Sequence, residues 1–123
     1  MSGGALEYVA AYVNSGNRNY GSSLVNGDAK TKNVYSKGSS PDEDNNYSAN
    51  SGKYGDAVYE TSASGGSSTS WYGNGSNFPN SGWPFFIRGG YYIGGTVAGV
   101  FCFSNYDGHN SSGYTFRPVL VAL

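Results

Sequence analysis

Charge is what this chain has least of. Charged side chains make up 12% of its 123 residues, and the formal net charge is −1. Binding to phosphates needs clustered Lys and Arg, so a basic nucleic-acid binder is excluded. Charge-driven attachment to anionic membranes is disfavoured for the same reason. Cysteine is nearly absent. Cys102 stands alone, so no internal disulfide and no CxxC redox or zinc motif can form. No apolar run approaches the roughly 18 residues of a membrane-spanning helix. The opening MSGGALEYVAAYVN has no basic segment ahead of its modest apolar stretch and lacks the form of a signal peptide. That leaves the compartment open. There is no phosphate-cradling loop, no dinucleotide fingerprint and no GxSxG elbow.

What fills the chain instead is small and polar, or aromatic. The hydrophobic share is 37%, with 20 Gly, 19 Ser and 13 Asn. Such a composition leans toward disorder, but 12 Tyr, 6 Phe and 2 Trp argue for a folded domain. Tyr among Ser, Gly and Asn is the vocabulary of antibody recognition loops, where rigid rings supply contact area at small entropic cost. The length suits one domain with one core. Two readings follow: a loop-rich binding protein anchored by aromatics, or a β-rich domain with long turns.

Along the chain, residues 5–13 (ALEYVAAYV) form a short apolar segment between glycines, expected to be extended. Residues 14–33 are polar, with Gly16, Gly21 and Gly27 as turn signals. Val34 and Tyr35 suit a short strand. Residues 36–53 have the look of a surface loop; Asp42, Glu43 and Asp44 could serve a calcium ion, but EF-hand spacing is missing and a solvated acidic loop is the simpler reading. Residues 54–62 (YGDAVYETS) are expected to form a strand, 63–70 a Gly/Ser loop, and 71–84 an irregular loop pinned by ring packing. Three more strands are expected at 84–88, 98–103 and 114–123, separated by loops at 89–97 and 104–113. Pro118 restricts the last of these to an edge or a bulge.

Three segments in order carry a family resemblance: Ser2-Gly3-Gly4-Ala5-Leu6-Glu7-Tyr8-Val9, Phe86-Ile87-Arg88-Gly89-Gly90, and Phe116-Arg117-Pro118. Together they resemble the GNxWEW-like, RGG and terminal GFR segments of the formylglycine-generating-enzyme (sulfatase-modifying-factor) branch of the C-type-lectin fold. Leu6 and Tyr8 stand where the family usually has Trp, and Thr115 replaces the usual Gly. The resemblance implies an α+β, strongly β-rich and loop-rich single domain over residues 1–123, C-type-lectin-like with a small antiparallel sheet. Relatives normally carry further chain before the first motif, so the sequence matches the C-terminal part of such a domain or a compact version of it. The resemblance also implies structural roles for Glu7, Arg88, Gly89, Gly90, Phe116 and Arg117. Glu7 is expected to pair with one of the two arginines, since a bidentate pair fixes strand register.

Formylglycine-generating enzymes need a cysteine pair that holds copper, which Cys102 alone does not supply. A lone Cys within an apolar stretch is more often a small hydrophobe. His109, the one histidine, lies two residues from Asp107, and a Ser-His-Asp set with Ser104 or Ser111 lacks its elbow. The EPN and QPD motifs of calcium-dependent sugar binding are absent. No catalytic residue, no metal ligand and no cofactor is therefore expected. The more specific resemblance is to variable proteins of diversity-generating retroelements, which share this fold and diversify by mutagenesis at adenines of Asn codons. Such codons cannot reach Glu, Lys, Met, Gln or Trp, and residues 91–115 contain none of these. Residues 89–115 become the expected variable region, with Tyr91, Tyr92, Ile93, Thr96, Ser104, Tyr106, Asp107, His109, Asn110, Ser111 and Tyr114 as ligand-binding residues, one or two of the tyrosines covering the core.

The expected function is a non-catalytic receptor-binding or adhesion domain for a protein or glycan on a cell surface. A phage tail or bacterial surface is the favoured location, with no nucleic acid and no membrane insertion. The resemblance implies association with a missing N-terminal part, and self-association is the other expected partnership. The alternative is an assembly module of a phage tail or surface appendage; a more remote one is an oxidase that has lost part of its chain.

Overall fold

The computed structural model describes residues 4–116. Its centre is a five-stranded sheet built around β1, Leu6–Val13. The other strands are β2 (Asn33–Tyr35), β3 (Phe85–Arg88), β4 (Phe103–Tyr106) and β5 (Tyr114–Thr115). β3 runs antiparallel to β1 and to β4. β2 and β5 each lie parallel to β1. Glu7 faces Arg88 on one side and Thr115 on the other, and Tyr12 likewise lies between Phe85 and Val34. β2 and β5 therefore share one edge of β1, and β3 holds the opposite edge. The sheet is mixed, where a small antiparallel one was expected. The reason is topological: the chain crosses back through residues 14–32 before β2, and β5 returns alongside the first strand in the same direction.

The expected strands at 5–13, 34–35 and 84–88 coincide with β1, β2 and β3. The run Phe85-Phe86-Ile87 is buried without alternation because both faces of the sheet are covered. On one face Phe86 packs with Val13, Tyr35, Val58, Phe78 and Phe103. On the other, Phe85 meets Tyr12 and lies close under Gly21 and Gly108.

Three expectations are corrected. Residues 54–62 form turns. Their backbone bonds locally (Ser62 N–H to the Val58 carbonyl, 3.0 Å), and the Thr61 and Ser62 hydroxyls donate to carbonyls four residues back. Residues 36–53 contain a helix, α2 (Glu43–Ala49), following a single-turn-and-a-half helix α1 (Ser22–Asn26). Asp42 caps α2 by accepting from the Asn45 N–H at 2.8 Å, and Glu43 and Asp44 favour the positive helix start. The strand expected at 98–103 begins instead at Phe103, because Ala98–Cys102 are turned by the Cys102 N–H bond to Gly99 (3.0 Å). Of the strand expected at 114–123, Tyr114–Thr115 are strand; Arg117 and the residues after it lie outside the described residues.

Asparagine does much of the internal fastening. Asn46, fully buried on α2, accepts from the Gly38 N–H (2.7 Å) and donates to the Pro79 carbonyl (2.9 Å). Asn50 bonds both the N–H and the carbonyl of Ser36. Asn105 on β4 donates to Phe78 O (2.8 Å) and to the Glu43 carboxylate (3.0 Å). Among the described residues no buried side-chain N or O lacks a partner. Loop backbone that would otherwise be buried without partners is thus satisfied by side-chain amides. No described helix is long and apolar enough to cross a membrane.

Candidate functional site

At the end of the sheet where β3 stops and β4 starts, residues 89–102 make a glycine-rich loop. Gly89 takes φ +82°, which turns the chain out of β3, and its N–H bonds the Cys102 carbonyl at 3.1 Å. Gly90 allows Ala98 to fold down against it; a Cβ there would sit 2.8 Å from the Ala98 Cβ. Tyr91 bridges to Gly4, and the Tyr92 N–H donates to Gly4 O at 2.8 Å. The loop is tied at both ends, and a 3-10 turn at Gly95–Val97 shapes its middle.

A second segment is laced to it. The Gly75 N–H donates to Val97 O (2.8 Å), the Phe103 N–H to Gly75 O (3.0 Å), and the Ser70 hydroxyl to Phe101 O (2.9 Å). This brings the 3-10 turn Trp71–Gly73 against the loop. The Trp71 ring meets Phe101 edge-on at 5.1 Å, and the Tyr72 ring stacks on Phe101 at 6.0 Å. Tyr72 has φ +61°. That left-handed backbone is costly for a bulky residue.

The outcome is a set of large apolar side chains held open to solvent on backbone tied by hydrogen bonds. Tyr72 is 88% exposed, Tyr92 69%, Ile93 68%, Val100 60% and Trp71 54%. Trp71 and Tyr72 were assigned by sequence only to an irregular loop. The available signal was two adjacent large aromatics between Ser70 and Gly73, with no apolar neighbour to define a buried face.

The expected binding residues separate into three groups. Tyr92, Ile93 and Thr96 stand exposed on the loop, with the Tyr91 ring 4.9 Å from that of Tyr92. Tyr106 and Tyr114 are half-buried in a ring cluster, 4.7 Å apart, with Tyr8 5.5 Å from Tyr114. Burial pushes the Tyr8 phenol up, with help from Asp107, and burial also raises Tyr114. The Tyr8 hydroxyl donates to His109 O at 2.8 Å. These rings cover the sheet and strap β5 to β1. In the third group His109 lies against Tyr20 (3.4 Å between centroids), and its Nδ1 is 2.7 Å from the Asp107 carboxylate. Desolvation alone would raise the Asp107 carboxyl, but the hydrogen bonds from His109 hold it below its ordinary value. Asn110 and Ser111 are exposed in the same turn, and Ser104 is half-buried on β4.

Cys102 is buried just before β4, and burial pushes its thiol up, away from the reactive thiolate. Among the described residues no group of three His, Cys, Asp or Glu side chains could hold a metal ion. The acidic run at 42–44 acts locally: Asp42 caps α2, and Glu43 accepts from Asn80 and Asn105, each at 3.0 Å. Gly89 and Gly90 are buried and Phe116 is exposed. Glu7 stands across from Arg88 in the ladder.

No family model matches the chain, and no curated protein or solved structure matches it.

Proposed function

We propose that this chain is a non-catalytic binding domain of C-type-lectin-like type, and that it holds its ligand against the aromatic surface formed by residues 71–72 and 91–101. The observation that carries the reading is the exposure of Trp71, Tyr72, Tyr92, Ile93 and Val100 on backbone fastened at both ends. Isolated exposed apolar residues are ordinary, but rings clustered on rigid turns mark contact surfaces. Ordering costs on binding are small when the rings are already fixed. A protein or a glycan on a cell surface suits such a patch, since aromatic rings pack on either. The retroelement reading belongs to this proposal: exposed loop positions such as Tyr92, Ile93 and Thr96 would carry the variation, over a constant framework of Gly89, Gly90, Gly99 and Phe103.

Tyr72→Gly is the most direct test. Glycine accepts the left-handed backbone, so folding stability holds or rises slightly while the ring is removed. Combined with Tyr92→Ser, it should weaken binding to the cognate cell surface by at least about tenfold, the loss of one or two contact hot spots. Unchanged binding by this double variant removes the site from the proposal. In the gene's surroundings, a reverse transcriptase and a near-copy of the 3′ end richer in Asn codons are the expected marks of diversification; their absence removes that part alone.

One observation favours assembly over reception. Trp71, Val97, Val100 and Phe116 are all exposed and are of the kinds permanent interfaces bury. Sedimentation of the wild-type chain distinguishes the two. A receptor-binding surface leaves it monomeric, whereas an assembly surface gives oligomers that the Tyr72→Gly/Tyr92→Ser variant dissolves.

A further inference from the structure

Away from the aromatic surface, a cleft of about 250 Å³ opens beside β1 and β2. Its apolar wall is Val9, Ala11, Val58 and Phe86. Arg88 contributes the one cation of that lining. The guanidinium donates to Ala57 O at 3.5 Å and lies 5.8 Å from the Phe103 ring. Among the described residues the single ion pair is Asp107–His109, so Arg88 has no carboxylate within ion-pairing distance there. Burial works against its charge. A guanidinium drawn out of water is normally matched by an anion, because its lost hydration is otherwise poorly replaced. Asp56, also on the lining, accepts from the Tyr35 hydroxyl and the Asn33 amide, and its charge, with that of Glu60, acts on Arg88 through space without direct ion-pair contact.

We propose that this cleft binds a monocarboxylate carried on a short apolar stem, with the acid group on Arg88 and the stem against Val9, Ala11, Val58 and Phe86. The planar fork of Arg88 matches a carboxylate in bidentate fashion. The cleft is open to solvent on one side and has room for a stem of a few carbons. The charge of Asp56 in the same small space opposes every anion, and opposes a second negative group more strongly than the first. Dicarboxylates and phosphate therefore bind less well than a monoanion of equal size. The acid can be a free small molecule or the C-terminal residue of a peptide, which offers the same group.

The test is a titration of the full chain, followed by ¹H–¹⁵N resonances including the Arg88 Nε–H. Butyrate should give saturable shifts at Arg88 and along β1 and β2, with butyramide and glutarate at least about tenfold weaker. A short peptide ending in a free-acid valine, compared with its C-terminal amide, separates the two sources. Binding of the free-acid peptide in preference to butyrate assigns the site to a chain end; the reverse assigns it to a small acid. Arg88→Lys keeps the charge and should weaken butyrate at least about tenfold by losing the fork. Should that variant fail to fold, the acid-against-amide comparison on the wild-type chain decides alone. No saturable shift with any monocarboxylate, or equal shifts from butyrate and butyramide, overturns the proposal. The Tyr72→Gly/Tyr92→Ser variant should titrate like wild type, so this cleft and the aromatic surface stand or fall separately.

Discussion

Two clusters of aromatic rings lie at opposite extremes of exposure in this molecule. Beneath the sheet, Tyr35, Phe78, Phe86 and Phe103 are buried, and Phe78 meets Phe86 edge-on at 5.1 Å and Tyr35 at 5.3 Å. On the loop surface, Trp71, Tyr72 and Phe101 make similar ring contacts, yet two of the three rings stand in solvent. Ring-to-ring geometry does not distinguish the clusters. What distinguishes them is the backbone. Three of the four core rings sit on strands, which place them on one face of a sheet. The surface rings sit on glycine-flanked turns, which lie outside that period and point away from the core. The lesson is that aromatic content in a Gly/Ser/Asn-rich chain supplies both a core and a contact surface, and the local backbone assigns each ring.

The widest separation between the clusters is expected in stability. Phe78→Ala, at a site with no exposure, should cost about 3–5 kcal/mol in denaturant unfolding. Tyr72→Ala should stay within about 0.5 kcal/mol of wild type, as exposed substitutions do. Comparable losses at both sites would mean that the loop rings are part of the core.

A smaller effect tests whether asparagine fastens the core side. Asn46→Ala leaves the Gly38 N–H and the Pro79 carbonyl without their side-chain partner, and should cost about 1–3 kcal/mol. Asn110→Ala, in the exposed turn, should be close to neutral by the same measurement. In a diversified family, position 105 should stay Asn although its codon can mutate, because Asn105 fastens Phe78 and Glu43 together.

The seam between core and surface can be probed at Gly99. A Cβ there would lie 2.2 Å from the Asn74 side chain, itself buried. Gly99→Ala should destabilise by about 1–3 kcal/mol. It should also disturb tyrosine and tryptophan fluorescence, since the 71–75 segment must shift; a variant with wild-type stability and spectrum would show that the two loops are not tightly joined.

The mildest perturbation is acid. The Asn45 N–H, and then its side-chain amide, hold the Asp42 carboxyl at about 2, below its ordinary value of 3.8. A carboxyl depressed on folding contributes stability above its unfolded pKa and loses it as pH falls through the folded one. The cap of α2 should therefore be intact above about pH 4 and be lost as pH falls through about 2. Asp42→Asn, which keeps a capping oxygen, should flatten that acid-side decline in thermal melts. A decline identical to wild type would place the acid sensitivity elsewhere.

Several elements were legible in the residues. β1 and β3 showed as short apolar runs bounded by Gly and Pro; β3, buried on both faces, needs no alternation. Tyr92, Ile93 and Thr96 were legible as exposed because Gly and small residues surround them. The helix α2 was missed: Pro41-Asp42 followed by Glu43 and Asp44 is a helix start, but the polar Asn and Ser that follow give it no apolar period. β4 was misplaced because its pattern, Phe-Ser-Asn-Tyr, buries an asparagine where a period-2 reading expects an apolar side chain. Residues 54–62 carry a strand-like pattern, but hydroxyl-to-backbone bonds four residues apart outcompete the ladder.

The sequence by itself determined that this is a low-charge, Tyr- and Gly-rich domain without disulfides, and that its loops carry aromatic side chains beyond what a small core can hold. Tertiary structure alone decided which rings those are. Tyr114 became a strut against Tyr8, with Tyr106 packed on Tyr114, while Trp71 and Tyr72 were carried to the surface by hydrogen bonds to a loop some thirty positions away. The physical reason is that exposure depends on which backbone segments pair across the chain. Such long-range pairings leave no periodic trace in the residues they bring together.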